Sequence, residues 1–169
     1  MKYIISMTES KYETAHKLNN KWCLWFHDPL DNNWKIESYK GIHTIDTIES
    51  YWNLYSFLNN KIIENSMLFL MRENIDPLWE HKENINGGCW SLKIPKGNMF
   101  DIWNNISIAL LCESISNEDT ININGISISP KKNFCIIKFW TNKNINNIKN
   151  LNAIKNLSYD GIIFKPHSI

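Results

Sequence analysis

The chain contains no apolar run approaching the roughly 20 residues that a bilayer span requires. Its opening, Met1 to Ser6, is too short an apolar stretch for a secretory leader. Both absences point to a soluble protein of the cytoplasm. Paired cysteines are missing as well: Cys23, Cys89, Cys112 and Cys135 stand far apart, with no Cys-x-x-Cys and no zinc spacing. Scattered cysteines suit a reducing compartment, where they act as small buried apolar residues, and neither a metal nor a cofactor is expected. Charge of one sign is not in excess, the formal net charge being +1. Proteins that grip long nucleic acids through phosphates carry a large positive surplus. Any nucleic-acid ligand here has to be small or recognised at one end. His81 lies beside Glu80 and near Glu83, but no nucleophile, metal-ligand set or phosphate-binding glycine loop accompanies them. That argues against an enzyme.

What the chain does have is Asn, Ile and Trp. Pairs such as Asn19-Asn20 and Asn32-Asn33 read as codon usage of an AT-rich genome, such as a protist or a large DNA virus. The eight tryptophans are more than packing needs, and large flat aromatics are suited to stacking on planar ligands. At 169 residues the chain is expected to form one domain, over 16–169, behind a loose polar arm at 1–15.

The pattern reads as strands at Lys21 to His27, Trp34 to Tyr39, Ser66 to Arg72, Cys89 to Ile94, Ile121 to Ser129, Phe134 to Thr141 and Gly161 to Lys165. A helix is expected after Asp46 and Glu49, which have capping-box spacing. Its apolar arc spans about 160°, wider than one core-facing stripe needs, with Ile48 and Trp52 adjacent at one edge. Further helices are expected over 99–114 and 144–157. The sum is an α+β fold, an antiparallel sheet with three helices on one face.

Three features carry chemistry. Trp34 follows the turn-rich segment Asp28 to Asn33, and Trp79 follows Pro77, so both lie in or beside loops. Glu80 comes directly after Trp79, and a carboxylate matches the paired N–H donors on the Watson–Crick edge of guanine. Lys131 and Lys132 enter a strand on which alternation places Ile136, Lys138 and Trp140 on one face. Methylation at N7 makes guanine cationic, so two indoles and a carboxylate form a minimal selector for that base. Taken alone, the same set suits a carbohydrate-stacking module or simple surface packing equally well.

In order along the chain stand Trp22-Cys-Leu-Trp25-Phe, Trp34, Thr47-Ile-Glu-Ser-Tyr-Trp52-Asn-Leu-Tyr, Ile75-Asp-Pro-Leu-Trp79-Glu80, Gly88-Cys-Trp90, Ile102-Trp103 with Leu110-Leu-Cys-Glu113, and Phe139-Trp140-Thr141. This ordered set resembles eukaryotic translation initiation factor 4E. The resemblance implies a curved sheet with helices on its convex back and the 7-methylguanosine cap of mRNA in its concave front. It implies Trp34 and Trp79 as the stacking pair, Glu80 as the guanine reader and Trp140 as the wall at the N7 methyl. Trp22, Trp25, Trp90 and Trp103 become structural. His16, Ile48 and Trp52 match the surface that docks a helix of a factor 4G-type scaffold or of a competing repressor, on a monomer.

Departures from the family pattern sharpen the expectation. Cys89 and Ile136 stand where the family has basic residues, so contacts to the cap phosphates fall to Lys131 and Lys138. Lys17 and Asn104 alter the docking surface. They keep open a cap-binding repressor or competitor that recruits no scaffold.

Overall fold

A computed structural model describes residues 15–116 and 122–167. The arm expected at 1–15 lies outside the described residues save for its last position. Seven strands, β1 (Lys17–His27), β2 (Lys40–Thr47), β3 (Met67–Arg72), β4 (Gly88–Pro95), β5 (Ile123–Pro130), β6 (Phe134–Thr141) and β7 (Ile163–Pro166), form one curved sheet in the order β2-β1-β3-β5-β6-β4-β7. Every pairing is antiparallel. Three helices accompany it: α1 (Ile48–Tyr55), α2 (Asn60–Ile63) and α3 (Met99–Leu111).

Period-two alternation decides which side chains meet the helices. On β6, Cys135, Ile137 and Phe139 are fully buried, joining Trp22, Leu24, Trp90 and Leu92 against Trp103 and Ile106 of α3. The opposite face carries a smaller cluster of Tyr39, Phe69, Met71, Cys89 and Trp140. Gly87 makes the close approach that starts β4, since a Cβ there would strike the Thr141 carbonyl.

The first helix is capped one residue later than expected. Thr47, not Asp46, caps it: its side chain accepts from the Ser50 amide at 3.0 Å, while Ser50 Oγ accepts from the Thr47 amide. Asp46 is the penultimate residue of β2, and the Glu49 carboxylate is taken by His16. The strand expected from Trp34 to Tyr39 is instead a loop and a 3-10 turn, Ile36–Ser38. Ser38 Oγ donates to the Asn33 and Lys35 carbonyls, and such side-chain bonds compete with a ladder.

The helix expected over 144–157 does not form; only the 3-10 turn Ile148–Asn150 is helical there. Leu151 and Ile154 are buried all the same, at 8% exposure each, whereas Ile148 is exposed. The segment is held by outside partners: Asn152 bonds the Ile115 and Ser114 carbonyls through its amide and Nδ2, and Tyr159 donates to the Asn152 carbonyl. Its six asparagines favour turns over helix interiors, and Asn156 sits at φ 63°. The third helix is α2, a single turn capped by Asn59.

Candidate functional site on the concave face

The site grows from the face of the sheet turned away from the helices. β1 places Trp25 and His27 there, while Trp22 and Leu24 point back into the core. Trp34 lies in the loop after β1, and its indole stacks on the His27 ring at 4.6 Å and 3°. His27 in turn touches Tyr39 at 4.6 Å, Tyr39 touches Phe69 at 5.3 Å, and Phe69 meets Trp140 at 6.2 Å. A continuous aromatic floor thus joins Trp34 on one flank to Trp140 on β6. Trp140 is fixed by donating its indole N–H to Ser127 Oγ at 3.0 Å.

Trp79 and Glu80 stand in the loop after β3, both exposed. Asn84, fully buried, shapes that loop: its Nδ2 donates to the Asp76 and Leu78 carbonyls at 3.1 and 2.8 Å. Asn124 of β5 donates to Asn84 Oδ1 and to the Glu83 carbonyl, tying the loop to the sheet. The charge of Glu80 reaches the floor. After burial, it is the second cause raising the Tyr39 hydroxyl to about 12, and it also acts on His167.

Exposure sorts the eight tryptophans. Trp22, Trp90 and Trp103 are at most 2% exposed, whereas Trp34, Trp52 and Trp79 are 46 to 51% exposed. Half-exposed indoles cost burial energy that packing does not return. Trp25 is half-buried, and Trp140, 6% exposed, is buried in the floor between Phe69 at 6.2 Å and His167 at 5.1 Å.

Cys89 does not replace a basic ligand with another ligand. It is 5% exposed, and burial pushes its thiol up to about 12, so the S–H is intact. That thiol faces His167 Nε2 at 2.9 Å, and His167 Nδ1–H donates to the Asn84 carbonyl at 2.8 Å. Burial lowers the His167 pKa, which agrees with a neutral ring accepting from the thiol. Lys138, half-buried, lies close enough for its charge to act on both. Lys131 is elsewhere: it sits in the turn that closes β5 onto β6, its amide bonded to the Phe134 carbonyl. From Phe134, Trp140 is six residues along the strand, about 20 Å at the usual rise. Lys138, two residues from Trp140 on the same face, is the nearer cation. Among the described residues no group of three or more His, Cys, Asp or Glu is placed to hold a metal.

A profile of the family described as "Eukaryotic initiation factor 4E" matches residues 17–167. The chain belongs to the eukaryotic initiation factor 4E family. It is 31% identical over 139 residues to the isoform 4E factor of Capsicum annuum, covering 79% of this chain and 68% of that protein. It is 27% identical over 149 residues to factor 4E-2 of Arabidopsis thaliana, covering 85% and 61%. The chain therefore spans about two thirds of these relatives' lengths. Among solved structures, a complex of C. elegans eIF4E-3 with the 4E-binding protein Mextli and a cap analog superposes with a TM-score of 0.67 at 27% identity. That match covers 77% of this chain and 76% of the other. Members of the 4E family are initiation factors rather than enzymes.

On the helical side, the residues that the 4E resemblance assigns to a partner come together. The Ile48 amide donates to the His16 carbonyl at 2.9 Å, and His16 Nδ1 lies 2.7 Å from Glu49 Oε1. Ile48 and Trp52 stay exposed at 45 and 49%, one turn apart on α1. Beside them runs α3, joined to α1 by the Tyr55–Phe100 stack at 4.3 Å and by Tyr51, whose hydroxyl donates to Asn104 Oδ1 at 2.6 Å. Asn104 thus puts a polar rung between the helices. Five site-face residues escaped the sequence reading: His27, Tyr39, Phe69, Asn84 and His167. Strand alternation after Trp25 points to His27. Nothing local links His167 to Cys89, 78 positions away.

Proposed function

We propose that this chain binds the 7-methylguanosine cap of mRNA on its concave face and serves translation initiation in the cytoplasm as a monomer. The observation that carries the reading is the aromatic floor from Trp34 to Trp140, with Trp79 and Glu80 held beside it by Asn84. Trp34 and Trp79 stack on the two faces of the methylated base, where its positive charge adds cation–π attraction. Glu80 accepts from guanine N1 and N2, and Trp140 walls the N7 methyl. Lys138 takes the phosphate nearest the base and Lys131 one farther along. The cap analog bound to the C. elegans relative supports the ligand class.

His16, Ile48 and Trp52 receive an amphipathic helix of a 4G-type scaffold, an arrangement supported by the 4E-binding protein in the same relative's complex. The polar rung at Asn104 favours a second reading, a cap-binding competitor whose partner is a repressor and not the scaffold. Tryptophan fluorescence decides the first point: 7-methylguanosine triphosphate quenches the wild type far more than GTP does, and Trp79→Ala loses the difference. Equal quenching by both ligands sinks the cap reading. Capture of a 4G-type scaffold, against capture of a repressor alone, then separates the two roles.

A further inference from the structure

We infer, on the stacking role proposed for Trp34, that His27 is the backing ring of the site: it holds Trp34 open toward the ligand and leaves Trp79 as the wall that closes. Trp34 is 51% exposed, yet one face of its indole is covered by an imidazole lying parallel to it at 3° and 4.6 Å. That imidazole is itself fully buried. Its Nε2–H donates at 2.8 Å to the carbonyl of Asn33, the residue immediately before Trp34. The same ring therefore fixes both the indole and the backbone that delivers it. Tyr39 leans on the ring at 4.6 Å and 53°, and Ser38 Oγ donates to the same Asn33 carbonyl.

Trp79 has its backbone held by Asn84, which donates to the Leu78 carbonyl at 2.8 Å, but no ring lies behind its indole among the described residues. It is 46% exposed and stacks on no aromatic ring among the described residues. One wall is set before the ligand arrives, which removes part of the ordering cost of binding. The other wall has only its backbone set beforehand, and its indole gains a stacking partner when the ligand binds.

The other nitrogen of the His27 ring, Nδ1, is buried without a hydrogen-bond partner, so the bond from Nε2 to the Asn33 carbonyl sets the orientation of the ring.

The test is a set of titrations with 7-methylguanosine triphosphate on wild type, His27→Phe, His27→Gln and Trp34→Ala, with His27→Gln also made in the Trp34→Ala background. His27→Phe keeps a flat ring and stays near wild type; His27→Gln keeps an N–H donor without a ring and weakens binding about five- to tenfold. In the Trp34→Ala background His27→Gln costs nothing more, because its effect passes through Trp34. Additive losses, or a weak Phe variant beside a normal Gln variant, overturn the role of His27. Unchanged affinity in Trp34→Ala alone instead sinks the stacking role of Trp34. Indole N–H relaxation in the free wild-type protein needs no variant to fold: Trp34 is rigid and Trp79 mobile, and a mobile Trp34 refutes the backing ring.

Discussion

The thiol of Cys89 points at Nε2 of His167 from 2.9 Å, across strands that lie next to each other at the edge of the sheet. This contact gives Cys89 a buried partner at a position where the 4E resemblance led to the expectation of a basic residue. The side chain is turned to a buried imidazole that ties β7 to the loop carrying Trp79, not to a phosphate.

That pair makes stability depend on pH. Burial lowers the His167 pKa below its ordinary 6.5, so the unfolded chain binds the proton more readily than the folded one. Stability from this group is full above 6.5 and is lost as pH falls from there toward the lowered folded value. Urea denaturation at pH 7.5 and 5.5 shows a drop in the wild type that shrinks in His167→Gln. An equal drop in both assigns the effect to other groups.

Cys89→Arg restores the family's charge at a site that cannot hold it. The guanidinium would be buried beside Lys138 and would break the bond to His167. An unpaired buried charge costs several kcal/mol, so the variant unfolds at clearly lower urea and gains no affinity for 7-methylguanosine triphosphate. Tighter binding at unchanged stability is the opposite result.

Asn84→Ala leaves the Asp76 and Leu78 carbonyls without their donor. Each unsatisfied buried group costs about 1–3 kcal/mol. The variant is less stable by that order in denaturant titration, and its loop no longer presents Trp79 and Glu80 together. Cap-analogue affinity falls in the fraction that remains folded.

Glu80→Gln exchanges one acceptor oxygen for an amide and removes the charge facing the base. Affinity for 7-methylguanosine triphosphate falls roughly tenfold or more, while the melting temperature is unchanged because Glu80 is exposed. Isothermal titration beside a thermal melt checks both halves.

Trp52→Ala separates the two faces. Its ring touches Tyr51 and Tyr55 at 5.4 and 5.6 Å but stays half-exposed, so the fold loses little. Binding of a scaffold-derived helical peptide is abolished, and cap-analogue titration is unaffected. A loss of both would tie Trp52 to the fold and not to a partner.

Much of this molecule is legible without coordinates. Period-two alternation assigns Ile136, Lys138 and Trp140 to one face of β6 and Cys135, Ile137 and Phe139 to the other, because the pleat leaves no third choice. The loop position of Trp79 and the exposed edge at Ile48 and Trp52 follow from turn residues and helical spacing in the same way, whereas the strand expected to start at Trp34 is a loop and a 3-10 turn. Tertiary contacts decided the rest. The segment 144–157 has helical spacing but spends its polar groups on Ser114, Ile115 and Tyr159, so local periodicity loses to distant partners. The stacking of His27 under Trp34, the pairing of Cys89 with His167 and the clamp at Asn84 depend on which strands lie side by side. Pairing order is a property of the whole sheet, β2-β1-β3-β5-β6-β4-β7, and no stretch of sequence a few residues long contains it.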